Sequence, residues 1–180
     1  MMAEDKEKGS NNLEAVSGET VNLSQVSVRE IHAELVRMSN SAAYEVTADE
    51  MEMRRGAIFQ VQAENLDNSQ GFIGVAQAQQ INASQSNIGF VQSSQYDASD
   101  GQIGIVYSQS TTLQNSQSGV VVAREIQSNG LRAGVILSGK IEGPVEAYID
   151  TRRALLIGLV SGLTFGSILL AIKLLISRRD

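Results

Sequence analysis

Ile31-His32-Ala33-Glu34, Val46-Thr47-Ala48-Asp49, Val61-Gln62-Ala63-Glu64 and Ala76-Gln77-Ala78-Gln79 are four versions of one word, each starting fifteen residues after the last. Extending that frame keeps a small residue in one column, at Ala33, Ala48, Ala63, Ala78, Ser93, Ser108, Ala123 and Ser138. Two residues earlier stand Ile31, Val46, Val61, Ala76, Val91, Val106, Val121 and Ile136, and three residues later Val36, Met51, Leu66, Ile81, Tyr96, Thr111, Ile126 and Ile141. Further columns hold Val28, Ala43, Ile58, Ile73, Ile88 and Ile103, and Met38, Met53, Asn68, Ala83, Ala98 and Leu113. Backwards the frame catches Val16, Gly18, Val21 and Leu23, so about nine rows fill residues 13–149.

A fixed period of this kind marks a stacked repeat. Apolar residues two apart follow the period of a strand, and a row reads as two such pairs joined by corners such as Ser69-Gln70-Gly71 and Ser99-Asp100-Gly101. One row cannot bury its inner side, whereas stacked rows lay each column on itself and build a continuous core. The fold expected is all-β: a parallel β-solenoid of about nine coils, a rod of roughly 43 Å at ~4.8 Å per coil. A helical repeat competes in the first rows, where Ser27-Val28-Arg29-Glu30 looks like a capping box and Ile31, Leu35 and Met38 keep helical spacing. Fifteen residues are short for a helix pair with its turns, and later rows repeat Gly/Ser corners.

Composition narrows the chemistry. The 180 residues include no cysteine and one histidine, His32, so disulfides, thiolate metal sites, His clusters and a Ser/His couple are excluded within this chain. Charge is divided sharply: nine Lys/Arg stand against nineteen Asp/Glu up to residue 150, and five against one after it. The acidic part argues against nucleic acid, which wants a basic stripe. The other part holds an apolar segment, 154–176, uncharged as far as Ala171 and long enough at ~1.5 Å per residue to cross a ~30 Å hydrocarbon core as one transmembrane helix. Arg152, Arg153, Arg178 and Arg179 flank it, and Lys173 is near enough to the end to snorkel. A buried soluble helix is the weaker reading, because the polar remainder offers no matching apolar surface.

The expected organisation is a disordered tail over 1–12, the solenoid over 13–149, a linker over 150–153, the span over 154–176 and a short tail over 177–180. Met1-Met2-Ala3-Glu4-Asp5 has neither the basic nor the apolar region of an export signal. The bulk is therefore expected to face the cytoplasm from a single-pass tail anchor, with a bacterial inner membrane as the setting. Within the span Gly158, Gly162 and Gly166 share one helical face, where two backbones could approach closely.

Outward columns are rich in Gln, Asn, Ser and acids. Glu34, Asp49 and Glu64 stack in one of them, and a cation could relieve their repulsion, although a solvated acidic face is the plainer reading. Another column starts as Glu30, Glu45 and Gln60, then becomes Val75, Phe90, Ile105, Val120 and Val135, with Gly74, Gly89, Gly104, Gly119 and Gly134 beside it. Such a stripe is an oligomer interface if it faces outward and core if a corner turns it inward. At the end of the frame, Gly143-Pro144 precedes a possible cover, Val145–Ile149; no cap is visible before Val16.

Apolar columns over most of the chain, such as Ile58, Ile73, Ile88 and Ile103, make it resemble the bactofilins, bacterial cytoskeletal β-solenoids with disordered tails that polymerise end to end at the membrane. It also resembles small tail-anchored fifteen-residue-repeat proteins of bacteria. The likeness lies in the architecture, so no functional residue is carried over. The expected function is a noncatalytic membrane-anchored scaffold that self-associates into a homo-oligomer and organises an unidentified protein partner at the bilayer. The competing function is an adaptor or receptor that binds a protein or carbohydrate on its regular outer face. An enzyme is the least supported class: no catalytic, cofactor-binding or metal residues are assigned, since no chemistry-bearing cluster breaks the columns and His32 falls in an outward position.

Overall fold

The computed structural model describes residues 12–149. Its strands are β1 (Asn12–Ser24), β2 (Ser27–Ser39), β3 (Ala42–Arg54), β4 (Ala57–Ser69), β5 (Phe72–Ser84), β6 (Asn87–Ser99), β7 (Gln102–Gln114), β8 (Gln117–Asn129), β9 (Leu131–Glu142) and β10 (Val145–Ile149). Each pairs in parallel with the next, in the simple order β1 to β10, as a β-solenoid of nine coils requires. Register holds the sequence frame, with Ile31 beside Val46, Val46 beside Val61 and Val106 beside Val121. The first rows are strands as well: Val28 pairs with Ala43 and Val36 with Met51, so the helical alternative is excluded there. The ladder gives each coil's backbone a partner in the next, while a lone helix at β2 would have interrupted both the hydrogen bonds and the columns.

The expectation of two inward pairs per row needs correction, because there are three. In β2 and the residue before it, the inward positions are Val26 and Val28, Ile31 and Ala33, then Val36 and Met38, with two outward residues between successive pairs. This two-three spacing turns the coil into three short sides and three corners, and the ladder skips the columns of Arg29 and Glu34 where two of the corners lie. The missed column reads Val26, Ser41, Gly56, Gly71, Ser86, Gly101, Ser116 and Leu131, mostly too small to register as core. It is small for a reason. A Cβ on Gly56 would lie 2.5 Å from the Ser41 carbonyl oxygen, and the serines there turn back to cap the bend. Ser41 Oγ donates to the Ser39 carbonyl at 2.9 Å and Ser86 Oγ to that of Ser84 at 2.7 Å.

The third corner carries a left-handed residue in each coil: Gln25, Asn40, Arg55, Gln70, Gln85, Asp100 and Asn115 have φ between 46° and 57°, and Gly130 has φ 85°. Each of the seven non-glycine bends still bonds to the next coil, as in Gln70 N–H to the Ser84 carbonyl at 3.0 Å. Inside, Ile31, Val46, Val61, Ile73, Ile81, Val91, Val106, Val121 and Ile136 are fully buried and form one continuous core.

The two ends differ. β10 pairs with Leu131–Val135 of β9 and leaves the rest of that coil uncovered, so Ile141 is 40% exposed. At the other end, β1 has no strand on its outer edge among the described residues, and Leu13 is exposed. The expected span 154–176, its basic flanks and Gly158, Gly162 and Gly166 lie outside the described residues. Among those described, no helix is long and apolar enough to cross a membrane.

Candidate interaction surface

The apolar column beside the glycines lies outside the core. Val75, Phe90, Val120 and Val135 are half-buried and Ile105 is 44% exposed, and none belongs to the core cluster. Their register is unbroken, Val75 beside Phe90, Phe90 beside Ile105, Ile105 beside Val120 and Val120 beside Val135. Half-burial here comes from neighbours in the same column shielding one another. A corner does sit at this point, as the glycines suggested, yet it does not turn the stripe inward.

Backbone crowding explains the glycines. A Cβ on Gly74 would lie 2.6 Å from the Phe59 carbonyl oxygen, and one on Gly104 would lie 2.3 Å from that of Gly89. Coils earlier in the rod carry Tyr44 and Phe59 in this column, where the later coils carry glycine. Those two rings stack on the outside with centroids 4.9 Å apart and planes within 9°.

Sequence reading missed a second apolar column. On the side that starts with the stripe, the next outward position holds His32, Thr47, Gln62, Gln77 and Gln92, then Tyr107, Val122 and Leu137. Tyr107 is 56% exposed and Leu137 38%, so in β7, β8 and β9 two apolar columns stand side by side on one flat side. The signal was present in the chain: once rows are cut into three pairs, Ile105 and Tyr107 straddle the inward Val106.

The polar columns are tied coil to coil. Arg37 pairs with Glu52 at 3.0 Å, Asn82 donates to Asp67 at 2.8 Å and Gln70 donates to Gln85 at 3.0 Å. Alongside runs an open groove of about 790 Å³, lined by Glu52, Arg54, Asp67, Ser69, Asn82 and Asp97 among others. Glu34, Asp49 and Glu64 are exposed, and no group of three His, Cys, Asp or Glu among the described residues could hold a metal ion. His32 is outward as expected, with Nε2 2.7 Å from a Glu30 carboxylate oxygen.

Among the described residues, protonation is perturbed at two points. Burial pushes the Tyr96 phenol well above its usual value. Hydrogen bonds to Glu142 and then Glu125, at 2.7 and 3.1 Å, raise the Lys140 ammonium. No family model, curated protein or solved structure matches this chain.

Proposed function

We propose that this chain is a noncatalytic, membrane-anchored scaffold: a β-rod held at the bilayer by residues 154–176, with its bulk on the cytoplasmic side, that self-associates and gathers a protein partner. The observation that carries the reading is the column Val75, Phe90, Ile105, Val120 and Val135, continuous over five coils yet outside the core. An apolar stripe of that length costs solvation unless another surface covers it. The glycine face of the span, Gly158, Gly162 and Gly166, adds a second contact between the same copies within the membrane. Full-length protein in detergent is expected to move from monomer to oligomer as its concentration rises in sedimentation experiments. Phe90→Asp with Ile105→Asp should return it to monomer with its β-sheet circular dichroism intact. A monomer at every concentration, with neither filaments nor discrete oligomers in negative-stain images, would remove the reading.

The adaptor reading has its own observation, the groove along Asp67, Asn82 and Asp97 with its hydrogen-bonding groups at coil spacing. Binding of a protein or carbohydrate that survives Phe90→Asp and is lost on replacing Asp67 and Asp97 by alanine would favour it.

A further inference from the structure

The flat side that bears the two apolar columns is self-complementary along its whole length in a parallel arrangement, which sets the second copy's position. Along this side the column from Glu30 to Val135 and the column from His32 to Leu137 flank an inward column, Ile31 to Ile136. A two-fold axis parallel to the rod, passing over that inward column, sets each member of one outward column against the other column of the second copy at the same height. Ile105 then meets the second copy's Tyr107, Val120 its Val122 and Val135 its Leu137. In the middle coils Phe90 and Val75 meet the side chains of Gln92 and Gln77. In the first coils Glu45 meets Thr47 and Glu30 meets His32, the pairing that Glu30 and His32 already make within one chain at 2.7 Å.

From the match of apolar with apolar in β7 to β9 and of acid with hydrogen-bond donor in β2 and β3, with no like charges opposed in the coils between, we infer that the rod forms a parallel, in-register two-fold dimer through this side. The inference rests on the self-association proposed above and specifies its partner surface and orientation. An antiparallel dimer covers the apolar coils only by sliding, β5 against β9 about a centre at β7, which leaves the polar coils of both copies unpaired. It also puts the β10 ends of the two rods at opposite ends of the pair, which the single-bilayer anchoring proposed above disfavours. The side measures ~38 Å by ~13 Å from strand spacing and rise, or roughly 500 Å² per copy, against the ~800 Å² of a standard interface. Contact is therefore weak in solution, and tethering both copies in a membrane raises their effective concentration.

The chain has no native cysteine, so an introduced one is unique. Full-length Thr47→Cys protein in detergent, treated with a bismaleimide of about 10 Å reach at high protein concentration, is expected to cross-link to itself. In the slid antiparallel dimer the two Thr47 positions are eight coils, ~38 Å, apart and out of reach. Val122→Asp, in the column outside the original stripe, is expected to weaken association roughly tenfold or more, as Phe90→Asp does. Thr47→Cys changes no apolar contact, so it reads orientation even where an Asp variant folds poorly. An oligomer that Phe90→Asp dissolves, but that neither cross-links at Thr47→Cys nor responds to Val122→Asp, overturns this arrangement and leaves self-association standing. A monomer under all conditions overturns both.

Discussion

Tyr96 is the largest fully buried side chain of the rod, and its hydroxyl has no hydrogen-bond partner there. It occupies the column that elsewhere holds Val36, Met51, Leu66 and Ile81, and its ring continues the apolar stack while its oxygen is stranded beside it. A buried hydroxyl without a partner costs about 1–3 kcal/mol. Tyr96→Phe keeps the ring and removes that cost, so it is expected to raise stability by about 1 kcal/mol in urea denaturation. The same site sets an alkaline limit. Because the folded pKa is raised, folding favours the neutral phenol: the stability this group contributes is whole below its unfolded pKa near ~10 and falls as pH rises above it. Denaturation midpoints from pH 9 to 11.5 should drop in the native protein and drop less in Tyr96→Phe. Equal slopes in the two proteins would assign the alkaline loss to other groups.

At the scale of the element, the decisive unit is the corner. Seven coils make the third bend with a non-glycine residue in the left-handed region, a conformation that costs an L-residue roughly 1 kcal/mol and is natural to glycine or asparagine. Asn40, Asn115 and Gly130 fit that demand. Gln70 and Gln85 offset part of it through their amide bond across coils at 3.0 Å, whereas Arg55 makes no side-chain hydrogen bond or ion pair among the described residues. Arg55→Gly is therefore expected to raise the thermal midpoint, with a gain of about 1 kcal/mol, and Gln85→Gly to gain less because it loses the amide partner. The first corner works differently, by glycine packing against the preceding carbonyl, and this explains why glycine is concentrated at Gly74 to Gly134 while φ there needs no left-handed residue.

For the whole molecule, stability is close to a sum over coils and the contacts between neighbours, since contact between strands is almost entirely between adjacent ones. Deleting residues 72–86 joins Gly71 to Asn87 at the equivalent point of the frame, so every column continues across the cut. That variant is expected to unfold cooperatively as a rod shorter by ~4.8 Å in solution scattering. Removing one residue fewer shifts all later columns and sends apolar side chains outward, so that variant should lose its folded sheet signal. A tolerant response to both deletions would contradict a core built on column register. The frame, the inward columns Ile31, Ala33, Val36 and Met38 with their equivalents, and the apolar stripe were all legible in the chain, because stacking copies each residue choice onto the next coil. The third inward pair was not, because its positions are filled by Ser41, Gly56, Gly71 and Ser86, whose small size serves a bend and leaves no hydrophobic signature.

By itself the sequence determined the coil length, the parallel stacking and the exclusion of thiol and multi-histidine chemistry, since these follow from period and composition alone. Tertiary structure decided how the coil closes into three sides, and with it that Val75 to Val135 face outward and share a flat side with Tyr107, Val122 and Leu137. Linear alternation tells a side chain's direction only between corners. Where two consecutive residues both point out, the backbone bend chooses which columns become neighbours, and that choice depends on carbonyl-to-Cβ distances between coils that no single row contains.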